Sequence, residues 1–150
     1  MAIQKGEAVE DNLNELTERV IGACIEIHRT LGPGLLESAY EECLCYELGK
    51  QGLEFTRQQP LPVVYKGVRL DCGYVMDVVV ENALILELKT VERLLPIHEA
   101  QLLTYLKLTG LSLGLLLNFN VPVFKYGVKR IANNYKGQTT QHTITKARTP

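Results

Sequence analysis

The stretch "ENALILELKTVERL", residues 81–94, narrows the possible folds more than any other segment of the chain. Its aliphatic run from Ala83 to Leu88 reads as a strand buried in a core. Yet Glu87 and Lys89 stand in that run and at its end, and such residues are almost never fully buried without a partner. Side chains alternate along a strand, so Glu87 and Lys89 share one face while Leu84, Leu86 and Leu88 point the other way. The neighbouring run "GYVMDVVV", residues 73–80, is interrupted in the same manner by Asp77. A three-residue hairpin loop at Glu81-Asn82-Ala83 sets Asp77 opposite Glu87 on that face, whereas a two-residue loop spoils the pairing.

The rest of the chain supplies the layers such a sheet needs. "EDNLNELTERVIGACIEIHRTLG" reads as a first helix with Leu13, Leu16, Val20, Cys24, Ile27 and Leu31 on one apolar face. Asn12 and Glu15 resemble a capping box at its start, and Gly32-Pro33-Gly34 stops it. "LLESAYEECLCYELGKQG" reads as a second helix ending near Gly52. From Leu53 to Val91, β-branched and aromatic residues take over. Turn signals at Gln59-Pro60, Lys66-Gly67 and Glu81-Asn82 divide this part into three or four strands joined as hairpins. "LPIHEAQLLTYLKLTG" opens with Pro96 and closes with Gly110, as a third helix. "LSLGLLLNFN" is a continuous apolar run that reads as a buried strand, and "FKYGVKRIANNY" as a last strand or short helix. These elements predict one α/β domain over residues 1–135, a mixed central β-sheet flanked by helices. Residues 136–150, with Ile144 and Ala147 as their few apolar side chains, have too little to bury and are expected to form a loose polar tail.

Bulk properties exclude several classes. The chain has 150 residues, the size of one domain with a real core. No run of 18 apolar residues exists, which excludes a membrane-spanning helix, and the polar, acidic start argues against a secretory signal. A cytoplasmic protein is expected. The four cysteines, Cys24, Cys43, Cys45 and Cys72, form no CxxC pair and read as small buried thiols rather than zinc ligands. The formal net charge of −1 is unpromising for a nucleic-acid partner, but its distribution is uneven. Residues 1–47 hold three basic and ten acidic side chains, while residues 48–150 hold thirteen and seven, which permits a basic face.

Two carboxylates and a lysine on one face of a core sheet suit hydrolysis assisted by a divalent metal. Carboxylate oxygens bind a hard cation and leave positions open for water and a phosphate oxygen. The cation acidifies bound water and offsets developing charge, and the lysine can orient that water or face the scissile phosphate. The structural alternative is a buried ion pair between Lys89 and one of the carboxylates. Spacing alone leaves both open.

Asp77 followed by Glu87-Leu88-Lys89 resembles the D…(D/E)xK signature of the PD-(D/E)xK nuclease superfamily. "GLLESAY", from Gly34 to Tyr40, resembles the pattern that names the GxxExxY family, a small bacterial group assigned to that superfamily. With "IHEAQLLTYLK" and "GLLLNFN" following in order, the resemblance runs from about Leu13 to Asn133. It implies a restriction-endonuclease-like core and a nuclease that uses Mg2+ or Mn2+ and acts on nucleic acid, with DNA ranked ahead of RNA. It further implies Glu37, Asp77, Glu87 and the backbone carbonyl of Leu88 as metal ligands, and Lys89 as the catalytic lysine. Gln101 and Tyr105 match a QxxxY element, one helical turn apart, within reach of a phosphate or the attacking water. Met76 stands where the superfamily often has proline. A homodimer is compatible with a nuclease this small. The alternative is a non-catalytic module that keeps the fold and binds nucleic acid or protein. On such a reading Asp77, Glu87 and Lys89 form a structural ion-pair cluster and the acidic first helix is a protein-contact surface. Residue by residue, Tyr40 reads equally as a core aromatic, Tyr105 shares the apolar helix face of Leu102 and Leu106, and His98 reads as structural, with a supporting role behind the site as the alternative.

Overall fold

Helix α1 spans Ala2–Leu31, so it begins well before the capping signal at Asn12. Asn12 and Glu15 are interior helix positions, because the residues before them are compatible with helix and contain no proline. The computed structural model describes residues 2–133, with side chains from residue 12 on; the polar tail expected at 136–150 lies outside the described residues. Leu13, Leu16, Val20, Cys24 and Ile27 are buried as the helical period requires, but Leu31, at the end of the stripe, is exposed. Of the other cysteines expected to be buried, Cys45 is, while Cys43 is half-buried and Cys72 is exposed. Gly32 stops the helix in the left-handed region (φ 70°), its N–H donating to the His28 carbonyl. Helix α2 (Glu37–Lys50) follows and packs on α1.

Among the described residues seven strands are formed: β1 (Phe55–Pro60), β2 (Val63–Tyr65), β3 (Val68–Leu70), β4 (Val75–Val80), β5 (Leu84–Lys89), β6 (Leu113–Asn118) and β7 (Val128–Ala132). Helix α3 (Pro96–Thr109) joins β5 to β6, and a 3-10 turn at Phe124–Gly127 leads into β7. The segment read as a last strand or short helix thus holds both. The main sheet has the order β1-β4-β5-β6-β7, with β5 and β6 parallel and the other pairs antiparallel. The mixed sheet flanked by helices is as expected. Two details differ. Gln59-Pro60 is not a turn but the end of β1, an edge strand where a missing proline N–H costs no ladder bond. Strands β2 and β3 form a two-stranded sheet of their own around Lys66-Gly67.

The sheet is covered on both faces. Val78, Val80, Leu84, Leu86, Leu88, Leu113, Leu115 and Leu117 pack with the buried residues of α1 and α2. Val79, Ile85 and Leu116 pack with Leu102, Tyr105 and Leu106 of α3. This double cover explains why β5 and β6 are near-continuous apolar runs. Along β5 it also puts positions 87 and 89 on the α3 side by alternation. Among the described residues no helix is long and apolar enough to cross a membrane.

Two glycines test how tightly the sheet is closed. A methyl group on Gly127 would collide with the backbone carbonyl oxygen of Asn118, the last residue of β6, and that oxygen cannot rotate away. Gly22 in α1 has open space around the same position. Gly127→Ala is therefore expected to cost about 1–3 kcal/mol, and Gly22→Ala to add about 0.4–1 kcal/mol. Urea denaturation of both variants checks the pair. Equal stability for Gly127→Ala and the parent protein would mean that the turn into β7 yields freely.

Candidate active site

The loop Glu81-Asn82-Ala83 closes the β4–β5 hairpin as a three-residue turn, with Val80 paired to Leu84 and the Ala83 N–H donating to the Val80 carbonyl. Glu81 and Asn82 both take left-handed backbone angles (φ 53°) to make it. The ladder continues through Val79–Ile85 and Val78–Leu86. One step further, Asp77 and Glu87 stand across from each other, as the three-residue loop requires.

At that step side chains replace the regular ladder bonds. The Asp77 backbone N–H donates to Glu87 Oε2 at 3.0 Å, and the Leu88 N–H donates to Asp77 Oδ2 at 2.8 Å. Each carboxylate thus holds the opposite strand through one oxygen; among the described residues Glu87 Oε1 has no hydrogen-bond partner, and Asp77 Oδ1 meets only the Gln58 amide at 3.5 Å. Glu87 is only 6% exposed. Burial, and after it the neighbouring Asp77 carboxylate, push its carboxyl up to about 8. Asp77 is also raised above the ordinary carboxylate range, mainly by burial, although the Leu88 N–H opposes this. Two crowded carboxylates, both held above their usual acidity range, form a site that a cation would relieve.

Lys89 ends β5, half-buried, beside Asn118 of β6. Among the described residues it makes no ion pair with Asp77, Glu87 or any other carboxylate. The structural ion pair left open by spacing alone is therefore not formed. Leu88 places its side chain in the core against α1 and α2, and its N–H on Asp77.

Helix α2 approaches the same end of the sheet from the other face. Glu37, its first residue, accepts the Thr90 N–H through Oε2 at 3.1 Å, just beyond Lys89. Its charge reaches both Asp77 and Glu87. Tyr40 is fully buried and stacks on Phe119 at 4.3 Å. Its hydroxyl donates to the Gly32 carbonyl and accepts the Leu35 N–H, so this tyrosine fixes the turn that delivers Glu37.

From α3, Tyr105 is buried, and its phenol is pushed up to about 12 by burial and then by the Glu87 and Asp77 carboxylates. Its hydroxyl accordingly stays a proton donor at neutral pH. Gln101 lies one turn earlier, half-buried, without a hydrogen bond to the acidic pair. His98 caps its own helix: Nδ1 accepts the Leu95 N–H at 2.9 Å, while burial and the Lys89 charge lower its proton affinity.

Sequence reading missed three contributors. Glu41, one turn after Glu37, is buried and held by Arg57 at 3.1 Å and Gln58 at 2.9 Å. Gln58 lies in β1 between Arg57 and Gln59, which pair with Val78 and Met76 on either side of Asp77; it takes a left-handed conformation (φ 50°), its amide 3.5 Å from Asp77 Oδ1. Such strain in a non-glycine residue is commonly concentrated at functional sites. Asn118 fastens the loop after Lys89, accepting the Val91 N–H and donating to the Val91 carbonyl. Only the i, i+4 spacing of Glu37 and Glu41 left a trace in the sequence.

Among the described residues no three His, Cys, Asp or Glu side chains are already assembled around one point as a metal cage. The donor set still fits a hard cation: two carboxylates with spare oxygens, in a place too buried to leave their charge uncompensated. Neither the curated proteins nor the solved structures compared with the chain give a match. A family model described as PD-(D/E)XK nuclease superfamily matches residues 14–131, from the first buried turns of α1 to the end of β7. With Asp77 and Glu87 joined across adjacent strands at one end of a mixed sheet and Lys89 two residues further along β5, this chain belongs to the PD-(D/E)XK nuclease superfamily.

Proposed function

We propose that the protein is a divalent-metal-dependent nuclease of the GxxExxY branch, acting on DNA. The observation that carries this reading is a juxtaposition. Asp77 and Glu87 are crowded across adjacent strands, while Lys89 follows on the same face with no ion-pair partner among the described residues.

Asp77 and Glu87 would hold Mg2+ or Mn2+ through their remaining oxygens, with the Leu88 carbonyl and Glu37 completing the protein's share. When bound, the ion acidifies a water and offsets negative charge on the phosphate. Lys89 orients the attacking water and donates to it or to a phosphate oxygen. The Tyr105 hydroxyl, protonated at neutral pH, donates toward the phosphate, and Gln101 on the same helix face assists it. Glu41, Arg57 and Gln58 brace Asp77 from the β1 side.

The test is a cleavage assay with purified protein and labelled single- and double-stranded DNA and RNA, in magnesium, manganese or EDTA. Cutting of DNA with either metal and none in EDTA is the expected result. Failure of well-folded protein to cut any substrate would overturn the catalytic reading and leave a binding module that retains the nuclease fold.

A further inference from the structure

Strand directions bring five chain segments to one end of the main sheet. These are the end of β1, the start of β4, the ends of β5 and β6, and the start of β7. The candidate active site is at that end. Two excursions rise beside it, one on either side of β5 in the sheet order.

The first is the segment from Leu61 to Tyr74, inserted between β1 and β4. Its base is closed by the Leu61 N–H donating to the Tyr74 carbonyl at 2.9 Å, and β2 and β3 form its hairpin. Every residue from Val64 to Tyr74 is exposed. A lone two-stranded hairpin adds little stability of its own, so the fold does not require this arm. Its root reaches the site, since the Tyr74 ring stands edge-on to Tyr105 at 6.1 Å. Near its tip, Lys66 Nζ lies 5.4 Å from the centre of the Tyr65 ring, which is 59% exposed.

The second excursion joins β6 to β7. Phe124 anchors it, buried against Phe119 at 4.8 Å. The next two residues face outward: Lys125 Nζ lies 5.3 Å from the centre of the Tyr126 ring, which is 70% exposed. Charge follows the same division. The connections at this end carry Lys66, Arg69, Arg93 and Lys125 against Asp71 and Glu92, all exposed. The connections at the opposite end, 51–54, 81–83 and 110–112, carry Glu54 and Glu81 and no basic residue.

We propose that Tyr65–Lys66 and Lys125–Tyr126 are two contact points for one unpaired nucleic-acid strand that passes across the active site between them. The proposal rests on the nuclease reading above and adds the strandedness of the substrate. An exposed tyrosine offers a face on which a base can stack, and the adjacent ammonium offers a partner for the neighbouring phosphate. A duplex hides its base faces in its own stack and can use only the ammonium groups. A third pair, Lys50 over Tyr46 at 5.5 Å, lies in the last turns of α2, toward the opposite end of the sheet, and serves as an internal control.

The test is fluorescence anisotropy with dye-labelled, nuclease-resistant phosphorothioate oligonucleotides in magnesium, as single-stranded DNA, single-stranded RNA and duplex DNA. The wild type is expected to bind the unpaired strands about tenfold tighter than the duplex. Tyr65→Ala and Tyr126→Ala should each weaken that binding by about tenfold, the double variant by about a hundredfold. Tyr65→Phe and Tyr46→Ala should bind as the wild type does. Lys66→Gln with Lys125→Gln should lower the salt dependence on all substrates. Both tyrosines are outside the core, and circular dichroism verifies folding. A double variant that binds and cuts like the wild type overturns this proposal and leaves the nuclease reading intact. So does equal binding of strand and duplex, or loss of self-association in the double variant without loss of oligonucleotide binding. A wild type that neither binds nor cuts any nucleic acid overturns both.

Discussion

Lys89→Ala is expected to lower metal-dependent cleavage by about a hundred- to ten-thousandfold while leaving the melting temperature nearly unchanged. The two halves of this result come from one observation: among the described residues, Lys89 has no carboxylate within ion-pair distance. Removing one partner of a buried ion pair strands the other charge and costs about 3–5 kcal/mol. Removing an ammonium that is not so paired strands nothing. A structural lysine would therefore show itself in the melting curve, and a catalytic one in single-turnover kinetics. Lys89→Arg should restore little, because a planar guanidinium cannot take the place of a compact ammonium beside a water. A large loss of stability with cleavage intact would reverse the assignment and make Lys89 a scaffold residue.

The parts of this site that were legible in the sequence are those fixed by local rules. Loop length sets hairpin register, so Glu81-Asn82-Ala83 was enough to align Asp77 with Glu87. Alternation then put Lys89 on their face and Leu88 in the core. Pro96 and Gly110 bounded α3 because their backbone preferences act within one turn. What was not legible depends on long-range contacts. Glu41 meets Arg57 and Gln58, and Asn118 meets Val91, across 16 to 27 residues of chain, and beyond the spacing of Glu41 from Glu37 no pattern marks either end. Gln58 takes a left-handed backbone where glycine would have signalled one. Pro60 suggested a turn because it interrupts a ladder, yet at an edge strand there is no outer partner for it to interrupt. The GxxExxY pattern was legible as a resemblance, but its physical content was not. Tyr40 fixes the turn after α1, and Glu37 is thereby delivered to the end of β5.

The same carboxylate crowding predicts how pH and metal act together. Unfolded, Glu87 titrates near its ordinary value of 4.5; folded, it titrates at about 8. Between these values the folded chain keeps a proton that the unfolded chain has released, so stability in EDTA falls as pH rises. The slope is about 1.4 kcal/mol per pH unit while that difference holds. It flattens below the unfolded value, where both forms are protonated, and above about 8, where both are ionised. Asp77 is shifted in the same direction and steepens the fall. A bound cation requires the ionised carboxylate, so magnesium or manganese should release about one proton on binding near neutral pH. Its apparent affinity should then rise about tenfold per pH unit until Glu87 is fully ionised. At a hundred times its dissociation constant the ion adds about 2.7 kcal/mol of stability. Glu87→Gln keeps an acceptor for the Asp77 N–H but has no proton to lose. That variant should be more stable than the wild type in EDTA at about pH 8, with a flatter pH profile and little response to metal. Denaturation in EDTA and in metal at several pH values, with calorimetry in buffers of different ionisation enthalpy, measures both quantities. A wild type whose stability ignores pH in EDTA would show that Glu87 is not held protonated. One that ignores metal at every pH would remove the cation from this site, and with it the hydrolytic mechanism.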